Sequence, residues 1–343
     1  MSQGDGWTEP GAFPVAVGVY RIPLPLPMDG LRAVNVYAIE TRSGLVLIDG
    51  GWAVQESQKQ LEAALRTVDY KVTDITRFLV THVHRDHYTQ ASVIGRQVGA
   101  HVSLGVGEKP TLDLIRGGWT APDPQAVQLR RAGAAILAEQ WAALTELERP
   151  DLTHWGYPDT WLSGDRTLDV GDRALVAVAT PGHTQGHYVF ADLASNLLFA
   201  GDHVLPAITP SIGFEAAPGP NPLGDFLSSL AKVRALPDLI LLPAHGAVTV
   251  SSHARVDELA AHHDHRLELC REAVAAGVNT AHAVANELPW TRHRRRLADL
   301  DTFNAALATL ETLAHLELLV AREQLIREEV EGVLNYLTTS TNP

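Results

Sequence analysis

The chain has 343 residues, 45% of them hydrophobic and 20% charged, a balance typical of a globular protein with one large domain or a core domain plus a smaller one. Lys and Arg number 27 against 40 Asp and Glu, and a formal net charge of −13 argues against broad contact with a nucleic acid backbone. The single cysteine, Cys270, excludes an intrachain disulfide framework and fits a reducing compartment.

The N-terminal ten residues have neither the basic nor the apolar segment of a signal peptide. No apolar run approaches the length of a membrane span. We therefore expect a cytoplasmic, soluble protein that makes no membrane contact. With one cysteine in the chain, a zinc site would have to be built from histidines and carboxylates.

The first part of the chain interleaves predicted strands with predicted helices. Strands are expected at residues 16–22, 34–39, 44–49, 75–80 and 101–105, with a Pro-rich connection at 23–28. Apolar residues at helical spacing predict helices at 55–68 and 89–98. This alternation indicates a mixed α/β fold.

Three histidines and an aspartate lie in the six-residue stretch that begins two residues after the predicted strand at 75–80. His82 and His84 alternate along extended backbone and can point the same way, while Asp86 and His87 start the turn. Imidazole nitrogen and carboxylate oxygen suit zinc, iron and manganese. One ion rarely takes four ligands from six residues, so the spacing favours two metals that share the loop. The alternative, surface histidines in an ordinary loop, is disfavoured by this density of ligand-type side chains.

Residues 107–162 interrupt the alternation and predict a helical, Trp-rich insertion. One long helix is expected at 123–147, flanked by Trp119, Trp155, Tyr157 and Trp161. We expect this insertion to lie over the site opening. The alternative is a helical hairpin that thickens the fold, with the aromatic residues in a small core of its own.

A second strand-rich part carries further candidate ligands in its loops. Strands are expected at 166–170, 175–179, 188–192, 197–200 and 239–242, with an amphipathic helix at 222–235. His183, Asp202 and His245 each follow one of these strands, next to Gly or Pro or within a few residues of one. If the two strand-rich parts meet edge to edge, these loops converge with the loop at 82–87.

The last segment predicts helices followed by a hairpin. Helices are expected at 256–275, 280–288 and 300–318, and strands at 318–320, 325–330 and 333–337 with a turn at Gly332. This order resembles a winged-helix module, and the basic run at 292–296 would suit DNA. Acidic residues in the wing favour a structural or homodimer-contact role instead. We divide the chain into a catalytic domain at 1–250 and a helical, winged-helix-like region at 251–343.

Seven residues in this order resemble the ligand pattern of the metallo-β-lactamase superfamily, over about residues 15–270. They are His82, His84, Asp86, His87, His183, Asp202 and His245. The Pro-Gly-His-Thr-x-Gly-His form around His183 is similar to the glyoxalase II branch. The resemblance implies a four-layer αββα sandwich, an α/β (α+β) fold, with the site along one edge of the sheets.

The same resemblance implies a role for each of the seven residues. His82, His84 and His183 would hold a first divalent ion, Asp86, His87 and His245 a second, and Asp202 would bridge both. Zinc is the expected metal, with iron and manganese as alternatives. Two such cations lower the pKa of a shared water, giving a hydroxide nucleophile at pH 7. Asp86 is the expected catalytic residue, which orients this hydroxide and later passes a proton to the leaving group.

Four further histidines lie outside the seven-residue pattern but close to it in sequence or on a predicted helix. His187 is expected to be a buried hydrogen-bonding residue, and His203 to point away from the site, with support of a ligand as its alternative role. His262 and His263 lie on a predicted helix, where they either reach a ligand or the substrate or belong to a solvated face.

The expected activity is hydrolysis of a small ester, thioester or lactone with an apolar part. Superfamily lactonases that open acyl-homoserine lactones have Tyr three residues past the bridging Asp, and Leu205 stands there in this chain. The alternative enzyme is a phosphodiesterase or endoribonuclease, because a β-lactamase-like endoribonuclease branch shares the winged-helix-like tail. The non-enzymatic alternative is a DNA-binding ligand sensor.

Overall fold

The computed structural model describes residues 6–27, 30–118, 123–147, 150–291 and 294–339. Within these ranges two β-sheets pack against each other, and helices cover the outer face of each sheet. The predicted four-layer α/β sandwich is confirmed. Trp119, Arg292 and His293, which entered the sequence predictions, lie outside the described residues.

The first sheet has seven strands in chain order. They are β1 (Phe13–Ala16), β2 (Val19–Pro25), β3 (Ala33–Thr41), β4 (Gly44–Ile48), β5 (Ile75–Leu79), β6 (His101–Gly105) and β7 (Thr160–Leu162). Strands β1 to β4 pair antiparallel, and β4 to β7 pair parallel. Three helices belong to this half: α1 (Gln55–Arg66), α2 (Arg85–Val98) and α3 (Lys109–Arg116). The parallel part needs crossover connections, and α1 and α2 supply two of them.

The second sheet has five strands: β8 (Arg166–Asp169), β9 (Ala174–Ala179), β10 (Tyr188–Asp192), β11 (Leu197–Gly201) and β12 (Ile240–Pro243). Their order across the sheet is β12-β11-β10-β9-β8. Strands β8 to β11 form an antiparallel meander, and β12 pairs parallel to β11 after the helix α6 (Pro222–Ala235). Strands β9, β11 and β12 therefore run in the same direction and end at the same edge.

Strand β3 shows how the sequence creates the layers. Val34 and Val36 lie in the core beneath α1 and α2, whereas Tyr37 and Ile39 lie in the core between the two sheets. Successive side chains of a strand point to opposite faces, so a strand buried on both faces is apolar throughout.

The remaining elements pack on the outer face of the second sheet. They are α4 (Pro124–Arg131), α5 (Ala135–Leu147), α7 (Ser252–Ala275), α8 (Ala281–Glu287), α9 (Thr302–Ala321) and the hairpin β13 (Leu325–Val330) with β14 (Val333–Thr338). The insertion helices and the C-terminal region share one hydrophobic core with that sheet. An ion pair between Arg131 and Glu329, 3.1 Å apart, also joins them. The division at residue 250 and the winged-helix likeness of the hairpin region are kept as proposals.

Several predicted boundaries were wrong. The long helix at 123–147 is two helices, because the chain turns at Gly133, whose φ of +84° favours glycine. Helix α3 was missed. Helix α9 continues through 318–320, where a strand was expected. Strand β2 continues through Pro23 and Pro25, because its last residues pair with β3 alone and β1 needs no N–H from them.

Two tryptophans of the insertion region are buried in cores. Trp155 lies 8% exposed among the helices of the first sheet, with its ring 6.5 Å from that of Tyr88. Trp141 lies 5% exposed and packs edge to face on Phe214 at 5.2 Å. These two rings are packing residues, and a lid formed by other parts of residues 107–162 stays a prediction.

Helix α9 is long and apolar enough, by length and composition, to cross a membrane, with a mean hydropathy of 1.2 over its best window. The expectation that no apolar run approaches this length was wrong on that criterion. In the structure 61% of the window is buried inside the protein. Its apolar residues form the centre of the core that joins the C-terminal region to the second sheet.

Candidate metal centre

The predicted metal ligands come from four strand ends. The loop after β5 carries His82 and His84, and the loops after β9, β11 and β12 carry His183, Asp202 and His245. Asp86 and His87 lie in the first turn of α2, not in the loop where they were expected. The helix begins at Arg85 because the carbonyl of His84 accepts the backbone N–H groups of residues 87 and 88. A carboxylate in the first turn is favoured by the helix dipole.

Four of the predicted ligands form a first group. His84 Nδ1 lies 2.9 Å from His82 Nε2 and 3.1 Å from His183 Nε2. Asp202 Oδ2 lies 3.6 Å from His183 Nε2. One donor atom from each of the four residues falls within 4.8 Å of the others, a spacing that a single ion could span.

The other three form a second group on the far side of Asp202. Asp86 Oδ2 lies 3.5 Å from His87 Nε2 and 3.4 Å from His245 Nε2. Asp202 Oδ1 lies 3.7 Å and 3.4 Å from the same two nitrogens. The two oxygens of Asp202 thus face different groups.

Three of the imidazole rings make contacts through Nδ1, the nitrogen that faces away from the other predicted ligands. His183 Nδ1 donates to the Ser211 carbonyl at 2.7 Å, and His245 Nδ1 donates to the Ala33 carbonyl at 2.8 Å. A carbonyl only accepts, so these rings carry their proton on Nδ1 and present a bare Nε2 to the centre when neutral. His82 Nδ1 lies 3.0 Å from the Thr81 hydroxyl.

Asp49 was missed as a site residue, although the sequence places it directly after a predicted strand. Its Oδ2 lies 2.8 Å from His87 Nδ1 and accepts from the Thr81 hydroxyl at 2.9 Å, and its Oδ1 accepts the Thr81 backbone N–H at 2.7 Å. Its φ is +62°, a left-handed conformation that Asp tolerates better than most residues. A carboxylate at the end of β4, the parallel neighbour of β5, was the available signal.

The two groups differ in their affinity for protons. Burial and neighbouring histidines lower the pKa of His82, and burial lowers that of His84 to about 3 and that of His183 below its usual value. In the second group burial acts in the same direction, but nearby carboxylates outweigh it. Asp86, Asp49 and Asp202 raise the pKa of His87 to about 10, and Asp202 and Asp86 raise that of His245.

The carboxylates respond in the opposite sense. Burial would raise the pKa of Asp86 and Asp202, but the surrounding histidines hold the pKa of Asp86 well below the usual range and lower that of Asp202. Both are therefore ionised at neutral pH. With Asp49 they give three buried or nearly buried carboxylates in one place, which is unfavourable unless cations or protons neutralise them.

A divalent metal fits this chemistry. Three donor atoms, His87 Nε2, His245 Nε2 and Asp202 Oδ1, are buried and have no hydrogen-bond partner among the described residues. Buried polar atoms are otherwise almost always paired. Neutral imidazoles on one side and carboxylates on the other match the ligands of zinc, iron and manganese.

His187 and His203 lie beside the centre without joining either group. His187 is fully buried, its Nδ1 lies 2.9 Å from the Thr180 hydroxyl, and its Nε2 accepts the Asp202 backbone N–H at 3.2 Å. This is the buried hydrogen-bonding role expected for it. His203 is fully buried with its ring 4.9 Å from that of Phe226.

Gly201 permits the close packing around His187. Its φ is +52°, and a Cβ at this position would lie 2.7 Å from His187 Nε2 and 2.8 Å from the Thr81 side chain. Any larger residue would separate the end of β11 from the end of β5. The distance between Asp202 and the histidines after β5 therefore depends on this glycine.

Two buried glutamates, also missed from the sequence, contact the loop that carries His183. Glu108 accepts a hydrogen bond from the Thr184 hydroxyl at 2.5 Å, and Glu215 accepts the Gln185 backbone N–H at 2.9 Å. Burial raises the pKa of both carboxyls, and the neighbouring Glu108 raises that of Glu215 further. The pair therefore keeps a proton at neutral pH and anchors the loop.

A family model described as the metallo-beta-lactamase superfamily matches residues 29–245, a range that spans all seven predicted ligands. The chain belongs to the metallo-beta-lactamase superfamily. It is accordingly a metal-binding hydrolase of that superfamily, as its sequence pattern suggested.

Relatives in the superfamily include proteins of similar length and proteins that are longer. A probable metallo-hydrolase, YqjP, of Bacillus subtilis is 24% identical over 93% of this chain and 96% of its own length. The lactamase-like protein nscB of Neosartorya fischeri is 36% identical over 69% of this chain, and that match spans just 56% of the relative. A solved beta-lactamase domain protein from Burkholderia ambifaria superposes with a TM-score of 0.80 and 26% identity, covering 98% of this chain and 97% of that one.

Two shorter matches have names that specify a reaction. A hydroxyacylglutathione hydrolase of Bartonella quintana is 37% identical over 25% of this chain and 32% of its own length. An atrochrysone carboxyl ACP thioesterase, AgnL7, of Paecilomyces divaricatus is 29% identical over 36% of this chain and 39% of its own length.

Proposed function

We propose that this superfamily member uses two divalent ions, zinc first and iron or manganese as alternatives, to hydrolyse a small acyl substrate. A thioester is the preferred substrate, and esters and lactones belong to the same class. The observation that carries the proposal is the convergence of seven His and Asp side chains with buried, unpartnered donor atoms. Such a set suits two-metal hydrolysis.

The chain's own residues would divide the binding of the ions. His82, His84 and His183 would hold one, and Asp86, His87 and His245 the other, with an oxygen of Asp202 turned to each. When bound, the ions would polarise the scissile carbonyl and lower the pKa of an attacking water. The hydrogen bonds from Nδ1 of His87, His183 and His245 would keep their Nε2 atoms aimed at the centre.

Asp86 is the residue that we propose for proton transfer. Its side chain is 14% exposed, compared with 10% for Asp202 and 2% for Asp49, so it is the most accessible of the three carboxylates. Its pKa lies well below the usual range because His87 and His245 outweigh the effect of burial. It would therefore enter the reaction ionised, accept a proton from the water and pass it to the leaving group.

Thioester chemistry is supported by two similar proteins, one named as a thioesterase and one as a hydroxyacylglutathione hydrolase. A thiolate is a good leaving group and needs less protonation than an alkoxide. The net charge of −13 opposes an extended phosphodiester substrate. We therefore place the phosphodiesterase activity second.

A substrate panel tests the proposal. Purified protein is loaded with zinc or manganese and assayed with short acyl thioesters, acyl esters, lactones and bis-p-nitrophenyl phosphate. We expect metal-dependent release of free thiol from the thioesters, abolished by a chelator and restored by added metal. Turnover of the phosphodiester alone would contradict the acyl-transfer assignment and support the alternative.

We propose a small-molecule substrate, a cytoplasmic location and no stable contact with nucleic acid or membrane, with a homodimer through the C-terminal region as one form of the assembly. Cys270 is buried with a free thiol, which fits a reducing compartment. Gel shift with genomic DNA at low salt tests the nucleic acid statement, and retardation there would favour the sensor alternative.

A further inference from the structure

A third group of metal-ligating side chains lies where helix α7 packs on helix α9. It consists of His262 and His263 on α7 and Glu311 on α9. A ring nitrogen of each histidine and a carboxylate oxygen of Glu311 lie within 4.8 Å of one another. The group shares no residue with the centre at the sheet edge, and the proposed hydrolysis does not use it.

The contacts of the neighbouring His315 determine which of its ring nitrogens carries the proton. Its Nδ1 lies 2.7 Å from the backbone carbonyl of Glu311, one turn earlier on α9, so this nitrogen must carry a proton and donate. The His315 side chain is 1% exposed, so its ring is neutral, because a charged ring is unfavourable in the protein interior. Its Nε2 therefore has a lone pair and accepts.

The contact with His315 also determines which ring nitrogen of His263 carries the proton. Its Nδ1 lies 3.1 Å from His315 Nε2 and must donate to it. The His263 side chain is also fully buried, so its ring is neutral for the same reason, and its Nε2 is a bare lone pair. That Nε2 belongs to a side chain with 0% exposure and has no hydrogen-bond partner in the described part of the chain.

A buried acceptor without a hydrogen-bond partner is unfavourable unless an ion or a water molecule binds to it. An imidazole held by a second group behind it is the arrangement by which proteins orient metal-ligating histidines. The adjacent His262 nitrogen and Glu311 oxygen supply the other donor types that zinc, cobalt and nickel accept.

We propose that His262, His263 and Glu311 form a separate, mononuclear site for a borderline divalent cation such as zinc, nickel or cobalt. The bound ion ties α7 to α9. His262 lies at the exposed edge of the group, so its ring rotates inward on binding, and water completes the coordination. This site is independent of the proposed hydrolysis.

Positive charge near the group limits its affinity. Arg266 faces both histidines and Glu311, although its Nη1 donates to the Pro289 carbonyl at 3.0 Å and its guanidinium lies 4.1 Å over the ring of Trp290. Arg255 and His265 also face His262. The site therefore fills after the centre at the sheet edge, where three carboxylates attract cations.

Zinc content per chain tests the proposal. Wild type and Asp202→Ala protein are equilibrated against buffered free zinc and measured by elemental analysis, each with and without His262→Ala. Because His262 is exposed, this substitution leaves the core intact. We expect His262→Ala to remove one zinc per chain in both backgrounds. The matched control is His265→Ala, an exposed histidine one turn away on α7, which removes none.

Thermal unfolding supplies a second measurement. In the Asp202→Ala background, where the main centre is weakened, zinc should raise Tm, and Glu311→Gln should abolish that rise while it preserves the side-chain shape. Equal zinc content in the His262→Ala and His265→Ala proteins, or an unchanged rise in Tm with Glu311→Gln, would overturn the proposal. Water would then be the partner of the buried nitrogen of His263.

Discussion

The two halves of the candidate metal centre contain the same kinds of ligand, but the pKa values of their histidines are shifted in opposite directions. His82, His84 and His183 form one half, and burial keeps all three neutral by lowering their pKa values. His87 and His245 in the other half have raised pKa values, because carboxylates face them. The first half therefore offers lone pairs that are already free, and the second offers negative charge.

For the two ions proposed above, this difference would give each half of the site its own binding properties. The first half would bind its ion without having to displace a proton. The second half attracts a cation more strongly by charge, but protons compete with that cation for the same nitrogens. Asp202 belongs to both halves, so a substitution there should weaken ion binding in both. Substitutions at Asp86 and Asp49 should weaken binding in the second half alone.

Asp202→Ala should have the largest effect, because it removes the oxygen that faces each half. We expect both ions to be lost or greatly weakened and activity to fall on the order of a thousandfold, since several kcal/mol of transition-state stabilisation depends on the ions. Elemental analysis and turnover of the best substrate measure this. Asp172→Ala, at an exposed turn between β8 and β9, is the control. Two ions retained in the Asp202 variant would contradict the bridging role.

Asp86→Ala should separate the halves. The second ion should be lost and the first retained, because Asp86 contacts only His87 and His245 among the predicted ligand nitrogens within 4 Å in the structure. We expect activity to fall about a hundredfold, within the range for loss of a proton-transfer group. Metal content and the pH profile of the residual activity measure this. Loss of both ions together would show that the halves do not fill independently.

Asp49→Asn should have a smaller effect, confined to the second half. The neutral amide oxygen still accepts the proton of His87 Nδ1 but no longer makes its Nε2 more basic, and the amide NH2 replaces the acceptor of the Thr81 backbone N–H. The second ion should therefore bind at least about tenfold more weakly. Metal titration with a competing chelator measures this. Asp69→Asn, an exposed residue with a similar φ of +63°, controls for asparagine in this backbone conformation. Equal weakening of both ions would contradict the assignment.

Acid should release the ions in order. A raised pKa means that protons displace metal from His87 and His245 while the pH is still near neutral, whereas the lowered pKa values of His84 and His183 delay protonation to more acidic pH. On stepwise acidification we therefore expect the second ion to leave first. Metal content after dialysis at each pH shows the two steps, and the Asp86→Ala protein should retain only the more acid-resistant one.

The sequence predicted the parts of the structure that follow from local patterns. Most strands, α6 and the turn at Gly332 were located from apolar periodicity and turn residues, whereas the short strands β1 and β7 were missed. The four-layer fold followed from the resemblance. Boundaries failed where tertiary contacts decide them. The break at Gly133 and the extension of α9 to Ala321 depend on packing in the shared C-terminal core, which apolar spacing alone does not reveal.

The site was predicted where ligand chemistry is concentrated in the sequence and was missed where it is not. His82 to His87 are recognisable together, but Asp49 and Glu215 act on loops that are far away in sequence. Asp49 resembles an ordinary residue at the end of a strand until parallel pairing brings β4 beside β5. The bare nitrogen of His263 could be found only from the chain of hydrogen bonds through His315.

The apolar core that links the last helices and hairpin to the second sheet makes the tail difficult to detach. Without α7 and α9, the outer surfaces of α6 and the insertion helices would meet solvent. Truncation near residue 250 would therefore expose a hydrophobic surface and cause aggregation. This would happen even though every ligand of the predicted metal pair remains in the shortened chain. A shortened or fused form of this enzyme should therefore retain the C-terminal segment.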